Sequence, residues 1–128
     1  VENISMAGGV DVILRAIQAR NGTLYLSVAP EYAEGGRVGI ALFEVSKITN
    51  YMFGIDTQGA VTANNVSQDY PVVTCENVTE RTGVITIEPG NTTIIEPNNG
   101  CIEIKAETSD DVIRAADRLV YSLLGIIE

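Results

Sequence analysis

Hydrophobic positions along this chain come in short runs broken by Gly, Pro, Asn and Asp, until the spacing changes near the C-terminus. There Val112, Ala115, Ala116, Leu119, Val120 and Leu123 recur at helical intervals up to Gly125. Thr108-Ser109-Asp110-Asp111 supplies a cap residue and acids for a first turn, where the helix dipole favours them. The pattern predicts an amphipathic helix over about 109–124, with Asp110, Asp111, Arg114, Asp117 and Arg118 on its wet side. Its aliphatic stripe must cover one face of a sheet. The tail Ile126-Ile127-Glu128 stays apolar past the helix stop.

Upstream the runs have the length of strands. Residues 10–19 admit a short helix, but they lead into Asn21-Gly22 and then into the β-compatible run 23–29. Asn-Gly between two such runs is the strongest short-range hairpin signal, so two antiparallel strands are expected. Residues 30–36 read as a loop and 37–45 as a strand buried on both faces. Residues 51–55 and 60–63 read as a second hairpin about Asp56-Thr57-Gln58-Gly59, followed by a polar surface loop over 64–70. Further strands are expected at 71–75, 83–87, 92–95 and 101–105, punctuated by Glu88-Pro89-Gly90-Asn91 and Glu96-Pro97-Asn98-Asn99-Gly100. The expected fold class is α+β, a mainly antiparallel β-sheet or sandwich with one C-terminal amphipathic helix, as a single domain over 1–128.

Composition narrows the core and the partners. Apolar residues make up 45% of the 128 positions but aromatics only 5%, so the core is built from Val, Ile and Leu. Seventeen acids against eight bases leave a net charge of −9, which repels nucleic acid and anionic membrane surfaces. No run reaches the length of a membrane span, since Asp11 and Arg15 interrupt the run at 10–17. The chain begins at Val1 without a basic-plus-apolar leader, which reads as a mature or trimmed product.

Five Asn-x-Ser/Thr sequons begin at Asn3, Asn21, Asn65, Asn77 and Asn91, none with a central proline. With nine Asn and 17 Ser or Thr in the chain, chance yields roughly one. The excess points to an extracellular glycoprotein, because a glycan needs an exposed Asn in a secreted chain. The alternative is a turn-rich protein that makes such triplets by accident of Asn in turns and Thr in strands. Cys75 and Cys101 pair in an oxidising compartment, within one chain or between two, with two buried thiols as the other option. Two cysteines without any His do not fill a structural zinc site.

Candidate chemistry is sparse. The chain has no His, the commonest general base, and no nucleophile elbow, P-loop, dinucleotide fingerprint or zinc-protease motif. Glu31, Glu34, Glu44, Glu88, Glu96 and Glu103 are available for a carboxylate pair, but no spacing sets two of them apart from ordinary solvated acids. Residues 56–59 and 96–100 offer oxygen ligands to Ca²⁺ without EF-hand spacing. No cofactor is expected beyond N-linked glycans.

The segment from Gly100 to Ile126 holds a strand followed by a capped Asp110-Asp111-Val112-Ile113-x-Ala115-Ala116-Asp117-x-Leu119 helix. It resembles C-terminal strand-helix units of secreted archaeal cell-surface proteins, including S-layer, sheath and filament components, over about a fifth of the chain. The resemblance implies a location and a class and carries no site residues. The function expected is a non-enzymatic, self-assembling subunit of an extracellular envelope, sheath or filament, a homo-oligomer or polymer. Its apolar ends, Ile4 to Met6 and Ile126-Ile127, are surfaces a neighbour covers. The alternative is a monomeric secreted module that binds carbohydrate or peptide, although its five Tyr and two Phe are scattered along the chain.

Overall fold

A computed structural model describes residues 5–6, 9–33, 36–51, 53–63 and 70–124. The elements are β1 Ser5–Met6, α1 Val10–Ala19, β2 Thr23–Val28, α2 Pro30–Ala33, α3 Gly36–Tyr51, β3 Asp56–Val61, β4 Thr82–Pro89, β5 Ile94–Asn98, β6 Cys101–Ala106 and α4 Ser109–Leu124. The class is α+β with a C-terminal helix, and α4 has the boundaries its periodicity predicts. The sheet corrects the expectation of antiparallel pairing. Its order is β1-β5-β6-β4-β2-β3; β3, β2, β4 and β6 run parallel, and among the described strands only the β5–β6 pair is antiparallel.

The cause lies in two segments expected as strands. Residues 10–19 form α1 and residues 37–45 lie within α3, and strands joined by such long crossovers pair in parallel. The Asn21-Gly22 signal is real but ends a helix. Asn21 is left-handed (φ 53°), its N–H donates to Gln18 O at 3.2 Å, and the Gly22 N–H donates to Ile17 O at 2.9 Å. That is a Schellman C-cap, which needs the same left-handed residue as a hairpin turn. Gly22 is required as well, since a Cβ there would lie 2.4 Å from the Arg81 carbonyl oxygen. The chain's other Asn-Gly pair, Asn99 (φ 51°) and Gly100 (φ 90°), does make the two-residue hairpin, between β5 and β6.

Four smaller expectations change too. Residues 56–59 are not a turn but most of edge strand β3. Glu96, Pro97 and Asn98 belong to β5, and residues 71–75 form no strand beyond an isolated bridge at Val72. Pro30–Ala33 is a helical turn within the expected loop.

Helices α1, α3 and α4 all lie on one face of the sheet. Leu24, Leu26 and Val28 of β2, Ile85 and Ile87 of β4, and Ile102 and Ile104 of β6 point into this layer. They meet Leu14 and Ile17 of α1, Val38 and Val45 of α3, and Val112, Ala115 and Leu119 of α4. The chain moves outward from β2 to β3 through the helices, then reverses and crosses β2 to reach β4. Parallel crossovers are right-handed, so the reversal sends the return over the opposite face. Residues 71–81 are that return.

Tyr32 locks the end of the sheet. Its side chain is buried and its hydroxyl donates to the Ala106 carbonyl at 2.8 Å, joining α2 to the end of β6. Burial, then Glu31, then Asp111 hold the phenol pKa above its ordinary value. The folded state therefore favours the neutral phenol. Its contribution is complete below about pH 10, the unfolded value, and is lost as pH rises through the folded pKa. Tyr32→Phe is expected to cost about 1–2 kcal/mol in urea unfolding at neutral pH and to flatten the loss of stability above about pH 10.

Candidate functional site

The return crossover acts as a strap on the face away from the helices. Val73 and Val78 pack there with Tyr25, Ala60, Val84 and Cys101. The strap starts along β3, where the Val61 N–H donates to Pro71 O at 3.0 Å and the Val73 N–H to Val61 O at 2.9 Å. Ser27, fully buried in β2, donates its hydroxyl to the Val73 carbonyl. The cysteines form a disulfide within the chain, with Cα atoms 5.4 Å apart. Cys101 is the first residue of β6, and Cys75 opens the 3₁₀ turn Cys75–Asn77 rather than a strand.

The sequon asparagines of the described residues sit at exposed turns. Asn21 is the left-handed cap residue between α1 and β2, Asn77 closes the 3₁₀ turn, and Asn91 lies in the bend between β4 and β5. Asn77 Oδ1 accepts from the Thr74 N–H at 2.8 Å, while Thr74 Oγ1 accepts from the Glu76 N–H at 3.2 Å. This cap uses the oxygen of Asn77 and not the Nδ2 to which a glycan attaches. Asn3 and Asn65 lie outside the described residues, as do the apolar ends at 4 and 126–127.

Two of the candidate carboxylates do come together. Glu96 and Glu103 are cross-strand partners on β5 and β6, and the Lys105 ammonium lies 3.9 Å from each. Asn98 Nδ2 donates to Glu103 Oε2 at 3.2 Å. The cluster is a solvated, lysine-bridged pair on the sheet face beyond the strap. Glu31 and Glu44 lie on α2 and α3, Glu88 is the register partner of Lys105 on β4, and the Glu34 side chain is outside the described residues. Among the described residues no three His, Cys, Asp or Glu gather where a metal ion could be held. The two stretches that offered oxygens to Ca²⁺ are mainly strand.

The feature that sequence reasoning missed is the outer side of α3. Val38, Ala41 and Val45 are buried on its inner side, yet Ile40, Phe43 and Tyr51 are exposed on the other. The Lys47 ammonium lies 5.8 Å from the Phe43 ring centroid. Beside this stripe, between α3 and β3, runs an apolar groove of about 300 Å³ lined by Leu26, Val28, Leu42, Phe43, Val61 and Tyr70, among others. The signal was present as an uninterrupted apolar run, which a buried strand would also produce.

No protein-family model, curated protein or solved structure matches this chain. No helix among the described residues is long and apolar enough to cross a membrane.

Replacing both cysteines with alanine is expected to lower unfolding stability by about 3–4 kcal/mol for a loop of this length, measured by urea titration. The native protein should take up no alkylating reagent before reduction. Lys105→Met leaves two facing carboxylates and is expected to cost about 0.5–1 kcal/mol, shrinking toward zero at high salt.

Proposed function

We propose that this chain is a non-enzymatic structural module of an extracellular, glycan-bearing assembly of the cell-surface kind: an envelope, sheath or filament subunit. The observation that carries the reading is the placement of Asn21, Asn77 and Asn91, all exposed at turns, in a chain with several times the chance number of sequons. The Cys75–Cys101 disulfide and the −9 net charge fit an oxidising, solvent-facing setting. The strand-helix unit over 100–126 gives this reading its archaeal surface-protein colouring. An exposed apolar helix stripe supplies a surface for self-assembly.

A second reading, a monomeric secreted binding module, is favoured by the groove between α3 and β3. Its apolar lining suits a peptide side chain better than a sugar.

Glycopeptide mass spectrometry and negative-stain electron microscopy of native material test the proposal. The expected result is glycan on Asn21, Asn77 and Asn91 together with regular sheets, tubes or filaments. Bare asparagines at all five sequons would remove the glycoprotein reading, and dispersed monomers at high concentration would favour the binding module.

A further inference from the structure

α3 is apolar on two sides, and the described residues cover only one of them. On the open side Ile40, Phe43 and Tyr51 are 67%, 64% and 84% exposed. At helical pitch these three fall with Glu44 and Lys47 into one stripe about 100° wide. Four of the five, all but Phe43, are symmetric about one point. Ile40 and Tyr51 lie equally far from the point midway between Glu44 and Lys47, and the two charges flanking that point are opposite in sign.

The geometry points to an isologous dimer of this chain, built by antiparallel packing of α3 against α3 of a second copy. This rests on the assembly reading above and names its contact. A two-fold axis at the stripe's centre sets Glu44 against Lys47 of the second copy, and Lys47 against its Glu44. The same axis sets each Ile40 against the other copy's Tyr51.

Gly39 lies outside this stripe, on the side of α3 that lines the groove. It is exposed, and a Cβ placed on it would meet nothing within 4 Å, so alanine fits there without touching the contact.

One competing mode of self-contact, pairing along β3, is blocked. The outer edge of β3 is guarded against strand addition: the Thr57 N–H donates to Asn50 Oδ1 at 3.3 Å, and Pro71 occupies the Val61 N–H. Between them the Tyr70 ring lies over Gly59, 3.3 Å from where a Cβ would stand. The described sequon asparagines all lie off α3. A single helix pair buries less than about 1,200 Å², so the contact is weak alone and gains strength by repetition in an assembly. With −9 on each copy, it forms better at moderate than at very low ionic strength.

Sedimentation velocity from about 10 μM to about 1 mM tests the dimer on wild type, Glu44→Lys, Lys47→Glu, an equimolar mixture of those two, and Gly39→Ala. Circular dichroism checks that each variant folds. Wild type is expected to show reversible monomer–dimer exchange, and each charge variant to weaken it roughly tenfold. The mixture should restore association, because it sets one doubly basic stripe against one doubly acidic stripe. Gly39→Ala, outside the stripe, should raise the unfolding midpoint by a few degrees and leave the dimer unchanged, which separates loss of contact from a change in helix stability. A strict monomer at about 1 mM, a dimer insensitive to the two charge changes, or a mixture no better than its parts would overturn the proposal. Native assemblies that form unchanged with Glu44→Lys would remove the α3 contact and leave the assembly reading standing.

Discussion

Strand β4 has to be shielded on both faces, and the rest of the architecture follows from how that is done. Gly83 through Ile87 are buried without interruption, Ile85 and Ile87 under the helices and Val84 under the strap. One side gets a full layer of three helices. Among the described residues the other gets only 71–81, whose apolar contacts are chiefly Val73 and Val78. The Cys75–Cys101 bond and the buried Ser27 hydroxyl compensate, fixing the strap where its own hydrophobic contacts are few. The strap in turn ends the open edge of β3 through Pro71 and Val73.

This division of labour also separates the surfaces. The described sequon asparagines sit on the strap and on the connections at the two ends of the strands, with the lysine-bridged carboxylates on the open sheet face. On the opposite layer, the outer side of α3 exposes Ile40, Phe43 and Tyr51. Sugar and charge keep a surface hydrated, whereas an aliphatic and aromatic stripe gains free energy when covered.

The two Asn-Gly pairs show how one local preference serves two ends. Both asparagines adopt the left-handed conformation, with φ of 53° at Asn21 and 51° at Asn99. After α1 the flanking carbonyls are helical, so the turn closes back on Ile17 and Gln18; after β5 they are extended, and the chain folds into a hairpin. The dipeptide specifies a reversal of the backbone. What is reversed depends on the preceding ten residues and on whether they have a sheet to pack against.

Sequence alone determined the elements whose periodicity or chemistry is local. α4 has a cap, a dipole-matched first turn and a clean apolar stripe; β2, β4 and β6 are dense in β-branched and aliphatic residues; the two cysteines have only each other. Tertiary structure decided the rest, for identifiable reasons. α3 is apolar on both sides, so its run carries no period to distinguish a two-faced helix from a buried strand. β3 contains Asp, Gln and Gly because it is an edge strand with Asn50 and Tyr70 guarding it, and such residues read locally as a turn. Parallel pairing follows once 10–19 and 36–51 become crossovers, since the direction of a strand is set by the length and path of its connection and not by its own side chains.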